Sequence, residues 1–225
     1  MYSSDQIADT MTRAFTRLPE ALREQLILTK NEQSFSGLWA WEFEKTLSNY
    51  GSNFLLLENK GVSFRRGSDK RSKKTMNFHD ISLVDQNGAF LMIVENKIWY
   101  HFDGAKGKKT PKLEPQVKSQ IKSDISKIKI TLKQNKVPAI GYLLINLVTP
   151  AQANLLPISY LNFHKNALNR TNGNLDTYIS DGVDAIKQQL TSSKLSTAEF
   201  AHSKSIFQAE NGRTFLDTFC VRVVL

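Results

Sequence analysis

The segment Ala89-Phe90-Leu91-Met92-Ile93-Val94-Glu95-Asn96-Lys97-Ile98 constrains this 225-residue chain more than any other. Its apolar run reads as a buried β-strand, yet a carboxylate and an ammonium group stand near its end. Side chains two apart on a strand share a face, so Glu95 and Lys97 emerge together, about 6–7 Å apart. A second acid, Asp80, opens the strand pattern His79-Asp80-Ile81-Ser82-Leu83-Val84, with fourteen residues between it and Glu95. Charges at the ends of buried strands are costly unless they are paired or hold an ion. Glu95 and Lys97 alone could be a strand-end ion pair, but with Asp80 on the preceding strand the three groups are expected in one pocket.

The surrounding pattern alternates helix and strand. Residues 5–28 read as a helix with Ile7, Met11, Phe15 and Leu18 on one face, interrupted at Pro19. That face would serve packing or dimerisation of two copies. A stronger helix spans residues 31–50, with Phe35, Trp39, Phe43 and Leu47 at i+4 spacing, and Gly51 closes it. Strands are expected at Asn53–Glu58 and Gly61–Phe64, separated by a turn at Asn59-Lys60-Gly61. Phe78–Asp85 and Ala89–Trp99 form a hairpin through Asn87-Gly88, a strong turn signal. Residues 114–135 read as a helix with Val117, Ile121, Ile125, Ile128 and Leu132 inward, and Ala139–Val148 as a fully buried strand. Weaker signals mark a strand or turn at Pro157–Tyr160, helices at Leu161–Leu168 and Asp176–Leu190, and a hairpin from Ser205 to Leu225. Helix, strand, strand, strand, helix, strand is an α/β order that gives a mixed sheet flanked by helices. The expected partition is an N-terminal helical segment (1–29), a core (30–165) and a C-terminal extension packed on it (166–225).

Charge is distributed unevenly. Residues 60–136 carry 18 Lys/Arg against 7 Asp/Glu, a net +11, while the remainder is −2. A basic field around an acidic pair suits a polyanion such as nucleic acid. Its lysines and arginines cluster in two polar stretches: Arg65, Arg66, Lys70, Arg71, Lys73 and Lys74 in one, Lys106, Lys108 and Lys109 in the other. These would contact backbone phosphates without reading sequence, or form a solvated surface that serves solubility. The longest apolar stretch, Ala139–Val148, is about half of what a membrane span needs, so no membrane partner is expected. The single cysteine, Cys220, precludes an intramolecular disulfide, and no Cys/His group resembles a zinc site. With no secretion signal in Met1-Tyr2-Ser3-Ser4-Asp5, the expected compartment is the cytoplasm.

Asp80 and Glu95-Asn96-Lys97, on hairpin strands followed by a helix and a buried strand, resemble the PD-(D/E)XK nuclease superfamily, in a branch whose third motif reads Glu-Asn-Lys. The stretch Asn31-Glu32-Gln33-Ser34-Phe35-Ser36-Gly37-Leu38-Trp39 is similar to the glutamate-containing opening of that superfamily's first helix. Gln116 and Gln120 sit where many members carry a glutamine. The chain departs from the pattern at His79, where members usually have proline. The resemblance covers about residues 30–165 and implies a restriction-endonuclease-like αβββαβ core. Among candidates for the first-helix acid, Glu32 lies on the centre of the apolar stripe and in the first turn, where the helix dipole favours an anion. It ranks ahead of Glu42, on the stripe's flank, while Glu44 faces away.

The resemblance implies Mg²⁺-dependent cleavage of DNA, with RNA left open and Mn²⁺ able to substitute. Carboxylate oxygens of Asp80 and Glu95, with the Asn96 backbone carbonyl, would hold the ion, which lowers the pKa of bound water. Lys97 would orient the attacking water and stabilise transition-state charge, while Glu32 and Gln120 would complete the site. Restriction, repair and phage defence fall within the implied range. The rival expectation is a catalytically inactive protein of the same fold that binds nucleic acid or an acidic protein partner.

Overall fold

A computed structural model of the chain describes residues 3–21, 32–47, 54–65, 74–101, 113–150, 169, 171–192, 198–209 and 212–225. Helix α1 (Ser4–Ala21) starts with a reciprocal cap. The Gln6 backbone N–H donates to Ser3 Oγ (3.2 Å), and the Ser3 N–H donates to Gln6 Oε1 (2.8 Å), satisfying two donors that the first turn leaves open. The helix runs past Pro19 to Ala21 rather than breaking there, and the expected continuation to residue 28 lies outside the described residues. Helix α2 (Glu32–Thr46) buries Phe35, Trp39 and Phe43 on one stripe. Phe15 of α1 stacks on Trp39, ring centroids 6.0 Å apart. The stop expected at Gly51 also lies outside the described residues.

Strands β1 (Phe54–Arg65) and β2 (Lys74–Val84) pair antiparallel from Phe54↔Val84 to Arg65↔Lys74. The turn expected at Asn59-Lys60-Gly61 is absent: β1 is one strand whose register shifts between Lys60 and Ser63. There Gly61 and Val62 face Asn77 alone, and such a bulge absorbs an extra residue without reversing the chain. Strand β3 (Phe90–Tyr100) follows through the expected Asn-Gly turn. Gly88 takes a left-handed φ of 75°, which glycine adopts without steric cost. The Asp85 carboxylate accepts the backbone N–H groups of Asn87 (2.9 Å) and Ala89 (2.8 Å).

Helix α3 (Pro115–Gln134) carries the chain from β3 to β4 (Ile140–Pro150), and these two strands are parallel, from Met92↔Ile140 to Tyr100↔Val148. Asn135, just past the helix, donates to the Phe90 carbonyl (2.7 Å) and accepts from the Phe90 N–H (3.2 Å), tying the helix end to the start of β3. After α4 (Leu175–Thr191) the chain forms β5 (Ala198–Ala209) and β6 (Gly212–Val223). This hairpin starts earlier than the Ser205 expected from sequence. The predictions at 157–168 fall outside the described residues.

The result is an α/β architecture. Among the described residues a mixed six-stranded sheet has the order β1-β2-β3-β4-β6-β5. Helices α1 and α2 cover the face carrying Ile81, Val94, Ile98 and Leu144. Helices α3 and α4 cover the face carrying Ile93, Trp99, Leu143 and Phe219. Segments 1–29, 30–165 and 166–225 all contribute to these layers, and β6 pairs with β4 over ten residues, from Gly141↔Val223 to Pro150↔Thr214. Among the described residues no helix is long and apolar enough to cross a membrane.

Close contact of α3 with β4 centres on Gly141, where a Cβ would run into the side chains of Ile128 and Leu132. Gly141→Ala is therefore expected to destabilise the protein by about 1–3 kcal/mol through overpacking. Urea denaturation should show a lower midpoint with an unchanged slope.

Candidate active site

The β2–β3 ladder runs from Val84↔Phe90 to Ile81↔Val94 and stops, while β3 continues beside β4 to Tyr100. Where the strands part, the Asp80 carboxylate replaces the missing ladder partner: its Oδ2 accepts the Asn96 backbone N–H at 2.6 Å. From this point the side chains of β3 alternate between the two layers. Glu95 and Lys97 face α3, as Ile93 and Trp99 do, and Asn96 faces α2.

Glu95 is 1% exposed and both its oxygens are held. His79 Nδ1 lies 2.6 Å from Oε1, and Lys127 of α3 donates to Oε2 at 2.7 Å. The His79 ring is fully buried, with Nε2 2.9 Å from Thr131 Oγ1 and an edge-on contact to Phe90. Lys97 donates to the Asn96 carbonyl (3.1 Å) and to Glu32 Oε2 (3.4 Å), and its ammonium lies 3.9 Å from Asp124 Oδ2. Four carboxylates from four elements thus meet two ammonium groups.

Burial and that excess of acid together set the electrostatics. Burial pushes Asp124 up to about 7; Lys97 opposes the shift, and Glu95 and Asp80 reinforce it. Asp124 Oδ2 is buried without a hydrogen-bond donor among the described residues. Asp80 is also raised, by burial and then by Glu95, against the Asn96 N–H and the two lysines. For Lys97 burial disfavours the charge, but Asp124, Glu32, Asp80 and Glu95 outweigh it and the pKa rises. Beside the cluster a pocket of about 470 Å³ is lined by Glu32, Gln33, Ser36, Leu57 and Asp80.

Asn96 serves the opposite face. Its amide donates to Ser36 Oγ (3.1 Å), and Asn146 of β4 donates to Asn96 Oδ1 (2.7 Å) and to the Lys97 carbonyl (3.0 Å). Thr218 of β6 closes this chain on Asn146 Oδ1 at 3.3 Å.

Of the sequence-derived candidates, Asp80, Glu95, Lys97 and Glu32 come together. Glu42 is buried against Lys45 of its own helix, 2.7 Å away. Gln120 accepts from the Trp99 indole N–H at 3.1 Å, and both Trp99 and Tyr100 are core residues. Arg65 and Lys74 pair at the end of the β1–β2 ladder. Arg66, Lys70, Arg71, Lys73, Lys106, Lys108 and Lys109 lie outside the described residues. Sequence reasoning missed Lys127, Thr131 and Asn146. The signal for the first two was present: Asp124, Lys127 and Thr131 fall at i, i+3 and i+7, one helical stripe between buried isoleucines.

The donor set of Asp80, Glu95 and the Asn96 carbonyl consists of hard oxygens, the kind that magnesium-class cations take, and Asp124 Oδ2, 3.9 Å from the Lys97 ammonium, accepts no hydrogen bond among the described residues. Among the described residues no group of three or more His, Cys, Asp or Glu could hold a metal ion in the arrangement seen, so a cation here would rest on two carboxylates and a backbone carbonyl. Ammonium groups stand on Glu95 and on the Asn96 carbonyl instead.

A carboxyl whose folded pKa exceeds its unfolded value of about 4 binds an extra proton in the native state. Its contribution to stability is therefore lost as pH climbs through the window between about 4 and about 7. Asp124→Asn, which needs no proton, should stabilise the protein at pH 8 by at least about 1–2 kcal/mol, because burial outweighs the attraction to Lys97 that the carboxylate gains. The gain should vanish near pH 4, as read by urea titrations across that range.

Comparison with protein-family models, curated proteins and solved structures returns no match.

Proposed function

We propose that this protein is a divalent-cation-dependent phosphodiesterase acting on DNA, with a restriction-endonuclease-like core. The observation that carries this reading is the convergence of Asp80, Glu95 and Lys97 at the parting of β2 and β3, with two more carboxylates than ammonium groups. The element order from α2 to β4 and the Glu-Asn-Lys string support it. Asp80, Glu95 and the Asn96 carbonyl would hold Mg²⁺ or Mn²⁺. When bound, the ion supplies charge neutralisation at the phosphate and acidifies a coordinated water.

The chain's own groups supply the rest. Lys97, gripped between Glu32 and Asp124, keeps its proton and presents a fixed positive charge beside Asp80. Such a preorganised donor stabilises charge that develops on a phosphate oxygen. Asp80, locked by the Asn96 N–H, is oriented without needing to rearrange. An acid-lined pocket repels a phosphodiester by itself, so approach depends on the basic field of residues 60–136.

A specific observation favours a second reading, in which the fold binds nucleic acid or an acidic protein without cutting: His79 and Lys127 already satisfy both Glu95 oxygens. Incubation of plasmid, linear and single-stranded DNA with Mn²⁺ separates the two. The nuclease reading expects cleavage that Asp80→Asn and Lys97→Met each reduce by about 10²-fold or more, with folding retained. DNA binding without cleavage, unaffected by Asp80→Asn, would establish the binding module instead.

A further inference from the structure

The two partners of Glu95 differ in their freedom to move. His79 is fully buried, and its second ring nitrogen is committed to Thr131 Oγ1 at 2.9 Å, one helical turn beyond Lys127 on α3. Displacing that ring would break two buried contacts. Lys127 reaches Oε2 along an unbranched stem, and its side chain is 22% exposed. An ammonium on such a stem can withdraw to water with little loss of packing.

We infer that Lys127 is the affinity- and selectivity-setting residue of the candidate cation site: its ammonium holds Glu95 Oε2 and must leave that oxygen before a divalent cation can share it. This rests on the reading of the site as cation-binding. His79 holds the opposite oxygen and acts as a positioning residue, fixing the carboxylate's orientation whether or not Lys127 is in place. Together Lys97 and Lys127 bring the two positive charges that a divalent ion would bring, next to the same carboxylates.

Selectivity follows from that exchange. A monovalent ion replacing Lys127 on Oε2 adds no charge to an acid-rich cluster, so a tethered ammonium, present at high local concentration, excludes it. A small divalent ion adds one net charge and accepts oxygen ligands at short range. The site therefore rejects Na⁺ and K⁺ and admits Mg²⁺ or Mn²⁺ at an affinity held down by the lysine.

Opposite signs distinguish this from an ordinary supporting role. A residue that merely orients a ligand lowers metal affinity by about 10–100-fold when removed, which is the result expected for His79→Gln. A competitor raises it. Calorimetric titration of Mn²⁺ into the parent protein, Lys127→Met and Lys127→Gln at low ionic strength should show both Lys127 variants binding about tenfold or more tighter. Lys127→Gln keeps a hydrogen-bond donor for Glu95 while removing the charge, so it carries the comparison if Lys127→Met fails to fold. Binding by the parent with equal or weaker binding by the folded Lys127 variants overturns this role for Lys127 and leaves the cation site intact. Absence of Mn²⁺ binding in the parent and the Lys127 variants alike overturns the cation site itself, and this role with it.

Discussion

A carboxylate buried at the centre of the sheet dictates what surrounds Glu95. Removing such a group from water costs several kcal/mol unless charge and hydrogen bonds compensate, and β3 itself offers only the charge of Lys97. Compensation comes from β2 through His79 and from α3 through Lys127, with Thr131 holding the imidazole from behind. These contacts fix the rotation of α3 about its axis. Once Lys127 and Thr131 face Glu95 and His79, Asp124 one turn earlier is brought beside Lys97, and the apolar residues between them pack on β4. The ionic network and the hydrophobic seam are thus set by one helix orientation.

The same three-residue string also works in the other direction. Asn96 links α2, β3 and β4 on the face away from Glu95, through Ser36 and Asn146. Because strand side chains alternate, one motif addresses both layers, and its middle residue is structural. Its backbone completes the arrangement, as the N–H donates to Asp80 and the carbonyl accepts from Lys97.

Much of this was legible beforehand. The periodicity of Phe35, Trp39 and Phe43, the Asn-Gly turn and the stripe from Val117 to Leu132 fixed α2, the β2–β3 hairpin and α3 within a few residues. Alternation along β3 predicted that Glu95 and Lys97 would share a face, and the first-turn argument preferred Glu32 over Glu42. What escaped was tertiary. A bulge at Gly61 and Val62 carries the same local composition as a turn, so β1 read as two strands. Lys127 drew no attention because its partner lies 32 positions away, and His79 stood out only as a departure from the superfamily's proline because burial is not written in its neighbours. Asn146 sat unnoticed inside an apolar run for the same reason.

The placement of β6 has a consequence for how the cluster comes into being. It lies between β4 and β5, and its Thr218 secures Asn146, which in turn holds the backbone of Lys97. A strand far along the chain therefore locks a motif more than a hundred residues earlier, and contacts of such sequence separation form late and slowly. During synthesis the acids and lysines of the cluster would already have emerged while the strand that stiffens them was still to come. The cluster's final geometry is in this way set only when the sheet is complete.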